Sequence, residues 1–269
     1  MPTIGILGAN GRMGRALINV ASQQQLNLTA TTVRQGSSLV GIDAGELAGC
    51  GKLALPLTEV SANSIKQAEI WLDFTLPEPM LGHLQLAVAA QKAMVIGVTG
   101  LTNDQYEQIQ HASKSIPIVW APNMSVGINL LQHLVQTAAK VMGADADIEI
   151  IEAHHRFKKD APSGTALAIG NNIAKTLGRD LAKVAVYGRE GDTGEREQQT
   201  IGFSTIRGGD IIGDHTVLFA NLSERLEITH KASSRETFAQ GAMRAAVWLK
   251  NKQPGLYTMQ QVLGLTDLA

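Results

Sequence analysis

Residues 152–165 read Glu-Ala-His-His-Arg-Phe-Lys-Lys-Asp-Ala-Pro-Ser-Gly-Thr. Positions 154–159 hold five side chains that can be cationic: His154, His155, Arg156, Lys158 and Lys159. Ser163 suits a helix N-cap, which would leave the backbone N–H groups of Gly164 and Thr165 projecting from the first turn. A helix end of this kind attracts anions, because its donors are unpaired and the dipole is positive there. Cations and a helix start therefore converge on one spot, suited to a carboxylate or a phosphate. A histidine beside it can exchange protons near neutral pH. Taken alone, the same stretch also reads as a solvated basic loop before an ordinary capped helix.

A second chemical signal stands at the N-terminus, where residues 8–14 read Gly-Ala-Asn-Gly-Arg-Met-Gly. They follow an apolar run at 3–7 and precede a helical pattern through Ala21 (Leu17, Ile18, Val20), after which residues 26–33 are β-rich. Strand, glycine turn, helix and strand in this order form the context of a dinucleotide-binding fingerprint. The spacing departs from the usual one, since the middle glycine, Gly11, comes one place late. The other reading is a tight turn in which glycine only relieves helix–strand packing. After the second strand a carboxylate would normally hold the adenosine ribose hydroxyls. Here Val33 and Arg34 stand there, and the first acidic residue of the chain is Asp43. Arg12 and Arg34 could grip a 2′-phosphate, since guanidinium matches phosphate oxygens. Solvated surface arginines are the alternative.

The elements that must position these residues follow from periodicity. Residues 36–57 are rich in glycine and small side chains and read as loop. Strands are expected at 69–74, 94–98 and 116–120, and helices at 79–91 and 102–113, the latter with Thr102 and Gln105 at capping-box spacing. Strand and helix alternate over the first 125 residues, which argues for a parallel sheet covered on both faces. In such sheets ligands bind beyond the carboxyl ends of the strands. The turns holding Gly97, Val98 and Thr99, and Ala121, Pro122, Asn123 and Met124, should therefore face a cofactor. A long helix is expected at 126–142, a strand at 147–151, and a helix after Thr165. From 184 onward the texture changes to strands at 184–187, 200–206, 216–220 and 225–230, an α+β region with a mixed or antiparallel sheet. A last helix is expected at 236–250, with an apolar tail through Leu265.

Bulk properties narrow the class. The 269 residues suffice for one large or two ordinary domains, and 44% hydrophobic with 17% charged content fits a soluble globular protein. A net charge of −1 gives no global pull towards nucleic acid. The single cysteine, Cys50, excludes an intramolecular disulfide and points to a reducing compartment. It lies between glycines with no activating neighbour, which disfavours a cysteine nucleophile. No basic-then-apolar leader pattern and no membrane-length apolar run is present, so a cytoplasmic protein is expected. The adjacent histidines lack a second ligand pair at metal spacing, so no metal is expected.

With both halves in view, the chain resembles the 4-hydroxy-tetrahydrodipicolinate reductase (dihydrodipicolinate reductase) family of bacterial lysine and diaminopimelate synthesis. Residues 152–165 are similar to the family's signature segment, and residues 8–14 to its cofactor turn with the shifted glycine. Residues 97–100 and 121–125 sit where its other nicotinamide contacts sit. The resemblance implies an α/β chain: a Rossmann dinucleotide-binding domain of residues 1–125 and 236–269, with a substrate-binding and tetramerisation domain of residues 126–235. It implies NAD(P)H-dependent reduction of a cyclic imine dicarboxylate, with Gly8, Ala9, Asn10, Gly11, Arg12, Met13, Val33 and Arg34 at the cofactor. His154 becomes a proton donor/acceptor and Lys158 a second proton donor, while His155, Gly164 and Thr165 hold substrate carboxylates. Some members carry an acid where Val33 stands, so Arg34 is expected to favour NADPH, with NADH weaker. A homotetramer is implied, with neither nucleic acid nor membrane as partner. Other readings are a different Rossmann dehydrogenase, a nucleotide sensor without chemistry, and a nucleic-acid binder. A sensor needs no His154/Lys158 pair, and the net charge argues against the last.

Overall fold

The computed structural model describes residues 1–266. Along the chain run β1 (Ile4–Leu7), α1 (Arg12–Gln23), β2 (Leu28–Val33), α2 (Ala44–Ala48), β3 (Thr58–Glu59), α3 (Ala62–Ile65), β4 (Ile70–Asp73), α4 (Pro77–Ala89), β5 (Ala93–Ile96), α5 (Asn103–Ala112) and β6 (Pro117–Trp120). There follow α6 (Val126–Met142), β7 (Asp147–His154), α7 (Gly164–Thr176), α8 (Leu181–Val184), β8 (Ala185–Tyr187), β9 (Ile201–Arg207), β10 (Gly213–Ala220), β11 (Arg225–Ala232), α9 (Glu236–Leu249), β12 (Gly255–Tyr257) and α10 (Met259–Val262). They form two compact units: Met1–Val126 with the chain from Arg235 onward, and Gly127–Ser234.

In the first unit seven strands lie in the order β12-β6-β5-β4-β1-β2-β3, and all neighbours pair in parallel. The residues of β1, β4 and β5 are buried throughout, as expected of strands covered on both faces. One core packs Leu17, Ile18, Ala242 and Met243 of α1 and α9 on the sheet. The other packs Ile65, Met80, Leu84 and Ile109 of α3, α4 and α5 on its opposite face. The strand order reverses between β1 and β4, which opens a crevice beyond their carboxyl ends.

In the second unit five strands run β11-β10-β7-β9-β8. β7, β9 and β8 are parallel, and β10 is antiparallel to both β7 and β11, so the sheet is mixed. Ile148, Ile150, Phe203, Val217 and Phe219 pack with Leu131 and Val135 of α6 and Ile169 and Ile173 of α7. Ile151 and Ile206, which point to the other face, are exposed.

Three local expectations change. Residues 36–57 are not all loop: α2 is capped by Asp43, whose carboxylate accepts from Gly45, Glu46, Leu53 and Leu55 N–H. Five residues are too few for a helical repeat to register, and one carboxylate holds the segment instead. The helix expected at 79–91 starts at Pro77, because proline is tolerated in the first turn, where its missing N–H has no helical partner. Most consequentially, β7 continues three residues past 151, so His154 ends a strand and does not open a loop.

Candidate active site

The first unit carries a cavity of about 470 Å³ at the β1/β4 crevice, lined by Gly8, Asn10, Gly11, Arg12, Met13, Val33, Arg34, Thr75 and His83 among others. Gly8 has φ of +68°, a left-handed conformation that glycine adopts without strain. A Cβ on Gly14 would collide with the Gly8 carbonyl oxygen, so glycine there lets α1 sit close against β1. Gly11 caps α1 without a side chain, and no acidic residue lies in its first turn. Bare helix-end donors, two arginines and no lining carboxylate fit a phosphate-bearing dinucleotide. Beside it a cavity of about 240 Å³ is lined by Met13, Phe74, Gly97, Ala121, Pro122, Asn123, Met124 and Phe238. Ala9 and Val98 are buried and line neither cavity; their neighbour in the second turn, Thr99, is exposed.

The floor of the larger cavity holds a group that sequence reasoning missed. Asp73, fully buried at the end of β4, accepts from the Thr75 N–H at 2.9 Å and the Thr75 hydroxyl at 2.6 Å. Its other oxygen lies 2.7 Å from His83 Nδ1 on α4. The Thr75 methyl rests 2.6 Å from where a Cβ of Gly8 would stand, so this group holds Thr75 against the glycine turn. A buried acid ending an apolar strand was the available signal.

In the second unit Glu152 and His154 sit two residues apart on the inward face of β7, buried at 1% and 9% exposure. His154 Nδ1 lies 2.6 Å from Glu152 Oε2. Arg207 on β9 binds both oxygens of Glu152 at 2.8 Å. The backbone N–H of Ser163 donates to Glu152 Oε1 at 2.9 Å. Burial by itself would push the Glu152 carboxyl up, but Arg207, His154 and the Ser163 N–H outweigh it and hold it at about 2. Burial pushes His154 down, and Lys158 and Arg207 add to that, while Glu152 opposes. His215 on β10, opposite Glu152 in register, meets Ser163 Oγ at 3.1 Å through Nε2 and the His154 ring edge-on at 5.2 Å. Burial, then the charge of His154, lower its pKa to about 4.

The other expected residues group around this cluster. Lys158, its side chain largely buried, pairs with the exposed Asp160 at 2.9 Å. His155 is half-buried, and its Nδ1 has no partner among the described residues. Ser163 caps α7 by accepting from Ala166 N–H at 3.1 Å, and the helical ladder begins with Leu167 N–H on the Ser163 carbonyl. The N–H groups of Gly164 and Thr165 thus precede the ladder. Glu152, Arg207 and His215 carried no role in the sequence reading. Counting the strand by twos from Ile148 and Ile150 would have put Glu152 and His154 on one inward face; Arg207 and His215 needed the sheet register. Among the described residues no group of three or more His, Cys, Asp or Glu is placed to hold a metal, and no helix is long and apolar enough to cross a membrane.

Comparison with known proteins bears on both units. Residues 2–124 match the family described as dihydrodipicolinate reductase, N-terminus, and residues 127–263 match dihydrodipicolinate reductase, C-terminus. The chain is 60% identical over 266 residues to 4-hydroxy-tetrahydrodipicolinate reductase of Pseudoalteromonas atlantica, covering 98% of this chain and all of that one. It is 58% identical over 267 residues to the enzyme of the same name from Pseudomonas fluorescens, at the same coverage. Among solved structures it is similar to a dipicolinate-bound dihydrodipicolinate reductase from a Paenisporosarcina species, with a TM-score of 0.75 and 22% identity over 97% of this chain and 98% of that one. At that identity the likeness concerns the fold.

Proposed function

The chain belongs to the dihydrodipicolinate reductase family, and from that premise we propose how its residues carry out the reaction. The chain is an oxidoreductase that reduces 4-hydroxy-tetrahydrodipicolinate to tetrahydrodipicolinate with a nicotinamide dinucleotide, in lysine and diaminopimelate biosynthesis. The 4-hydroxyl leaves as water with a hydrogen from the neighbouring ring carbon, and hydride and a proton then add across the conjugated C=N system so formed, so the balance is substrate plus NAD(P)H plus H⁺ to product plus NAD(P)⁺ plus water. When bound, the reduced nicotinamide supplies the hydride.

The residues of the first unit would hold the dinucleotide. Backbone donors at the start of α1 take the pyrophosphate, and Gly97 with residues 121–124 line the second cavity, for the nicotinamide. Arg12 and Arg34 line the first cavity without a carboxylate between them, which favours the 2′-phosphate, hence NADPH over NADH. In the second unit the substrate's two carboxylates fall to the start of α7, through Gly164 and Thr165, and to His155. His154 transfers the proton through Nε2, since Nδ1 is taken by Glu152. Lys158 faces the anion and serves as a second proton source. A dianionic ligand beside His154 stabilises its imidazolium, offsetting the burial that lowers its pKa.

The observation that carries this assignment of roles is the Glu152–His154–Ser163 arrangement, which places a proton-exchanging ring and a helix start on one carboxylate. Assembly as a homotetramer is supported by the uncovered sheet face bearing Ile151 and Ile206, and a cytoplasmic location by the single cysteine. The test of the function is mixing the chain with freshly generated cyclic hydroxy-dicarboxylate and following NADPH oxidation. Oxidation only with that substrate is expected. Turnover with ordinary 2-keto acids and none with the cyclic compound would overturn the reading.

A further inference from the structure

We propose that Glu152 is the positioning residue of this active centre: it fixes which ring nitrogen of His154 exchanges the proton, and through Ser163 it ties that ring to the helix end that receives a substrate carboxylate. The proposal rests on the role given to His154 above. Glu152 is 1% exposed and is met only by donors. Arg207 occupies both oxygens, Ser163 N–H and, at 3.4 Å, the Thr205 hydroxyl donate to Oε1, and His154 Nδ1 faces Oε2. An ionised carboxylate only accepts hydrogen bonds. The Arg207 fork keeps Glu152 ionised, so the His154 nitrogen facing it must carry hydrogen. Neutral His154 is then the Nδ1–H tautomer, with the lone pair on Nε2. The imidazolium differs from it only by a proton on Nε2, so Nε2 is the exchanging atom in both directions of transfer.

The surroundings agree. A Cβ on Gly213 would stand 3.1 Å from His154 Nε2 and 3.4 Å from its Cδ2, so glycine at that position keeps the exchanging nitrogen clear. The titratable and charged groups around the ring are Glu152 on its own strand, Arg207 on β9, His215 on β10 and Lys158 in the turn. Glu152 is the one negative charge among them. It also holds the Ser163 backbone, and Ser163 caps α7. Displacement of this carboxylate would therefore move the proton donor and the anion-binding helix start together. A purely structural reading exists, in which Glu152 and Arg207 pair only to join β7 to β9, and it makes different predictions.

The test uses the full chain with ¹⁵N-labelled histidine and compares the parent with Glu152→Gln, each with and without NADPH. In the parent, ring ¹⁵N shifts should place the hydrogen of neutral His154 on Nδ1. In Glu152→Gln the remaining amide oxygen is held by Arg207 and Ser163, so the amide NH2 faces His154 and the hydrogen should move to Nε2. That variant should lose about 10²–10⁴ in kcat, the range for a general acid, with NADPH affinity unchanged. Loss of the one negative neighbour disfavours imidazolium, so the limb on which kcat/KM falls with rising pH should shift to lower pH. Neutral His154 carrying its hydrogen on Nε2 in the parent would overturn the proposal without any variant. So would a Glu152→Gln chain that keeps the Nδ1–H form, parental kcat and an unmoved pH profile. The tautomer is read without turnover. An expected tautomer in a chain that fails to oxidise NADPH with the cyclic substrate would therefore strike the functional reading and leave this one standing.

Discussion

At the scale of single residues, the proposed roles in proton transfer and in cofactor binding fall to residues of different compact units. His154→Gln keeps a polar side chain of similar reach but cannot cycle a proton, and should cost about 10²–10⁴ in kcat. Lys158→Ala removes a charge facing a carboxylate as well as a proton source, so KM should rise while kcat falls. NADPH titration of both variants should give the parental Kd. Near-parental kcat in both, with folding intact, would remove this stretch from the chemistry. The role proposed for His154 gives a pH dependence of defined sign. In the proposed role as proton donor His154 acts in its acid form, and burial lowers its pKa in the free protein, so kcat/KM should fall as pH rises through a pKa below the ordinary histidine value. In the first unit, Arg34→Ala should reduce the preference for NADPH over NADH by about 1.5–3 kcal/mol, the range for a charged hydrogen bond. Calorimetry showing equal affinities in the parent would refute the argument from the missing carboxylate.

At the scale of elements, two helix starts proposed to receive anions are built from different residues. α1 begins at a glycine whose lack of side chain leaves donors open, while α7 begins at a serine that takes Ala166 N–H and is itself anchored on Glu152. The close seat of α1 depends on Gly14. Gly14→Ala would drive a methyl into the Gly8 carbonyl and push the helix off the sheet. Overpacking of this kind costs about 1–3 kcal/mol, and the displaced donors should weaken dinucleotide binding more than substrate binding. Calorimetric NADPH affinity beside a denaturation curve would check both. A chain of parental stability and affinity would show that α1 has slack. The element boundaries also explain why part of the site was hard to read. Residue types alone end β7 near Ile151, where Glu152 interrupts the apolar run and His-His-Arg follows at 154–156. The strand nevertheless continues to His154, because its register with β9 and β10 supplies ladder partners for each added residue.

At the scale of the whole molecule, the buried polar cluster makes stability depend on acid. The ordinary pKa of histidine, 6.5, falls to about 4 for His215 on folding, so its contribution is full above 6.5 and is lost as pH falls towards 4. Glu152 falls from 4.5 to about 2, so its contribution is full above 4.5 and is lost as pH falls towards 2. Each group adds up to about 1.4 kcal/mol of slope per pH unit within its window. Urea unfolding from pH 6.5 down to 4 should therefore show falling stability, and His215→Gln should flatten that limb. An unchanged slope would mean that His215 does not titrate with folding. In assembly, sedimentation equilibrium should give four times the 28.6 kDa chain mass. A monomer at micromolar concentration would leave the exposed Ile151 and Ile206 face without the proposed partner.

The amino-acid sequence by itself determined much of this. Alternating apolar runs and helical repeats specified a parallel α/β first half, since strands covered on both faces cannot alternate in polarity. The glycine turn at residues 8–14 and the cationic run at 154–159 are contiguous, so both could be singled out as candidate sites without a fold. Lys158, His155 and Gly164 came out of that same contiguous stretch. What only the tertiary structure decided is which distant groups meet. Arg207 is 55 residues from Glu152, and His215 is 52 from Ser163. Their contacts follow from β9 and β10 flanking β7, a pairing no local pattern encodes. The same holds for His83, which reaches Asp73 only because α4 folds back over the end of β4. Each of these three groups sits against a buried carboxylate or hydroxyl. Burial there demands a partner, because an unpaired polar group away from water costs more than the hydrogen bond returns.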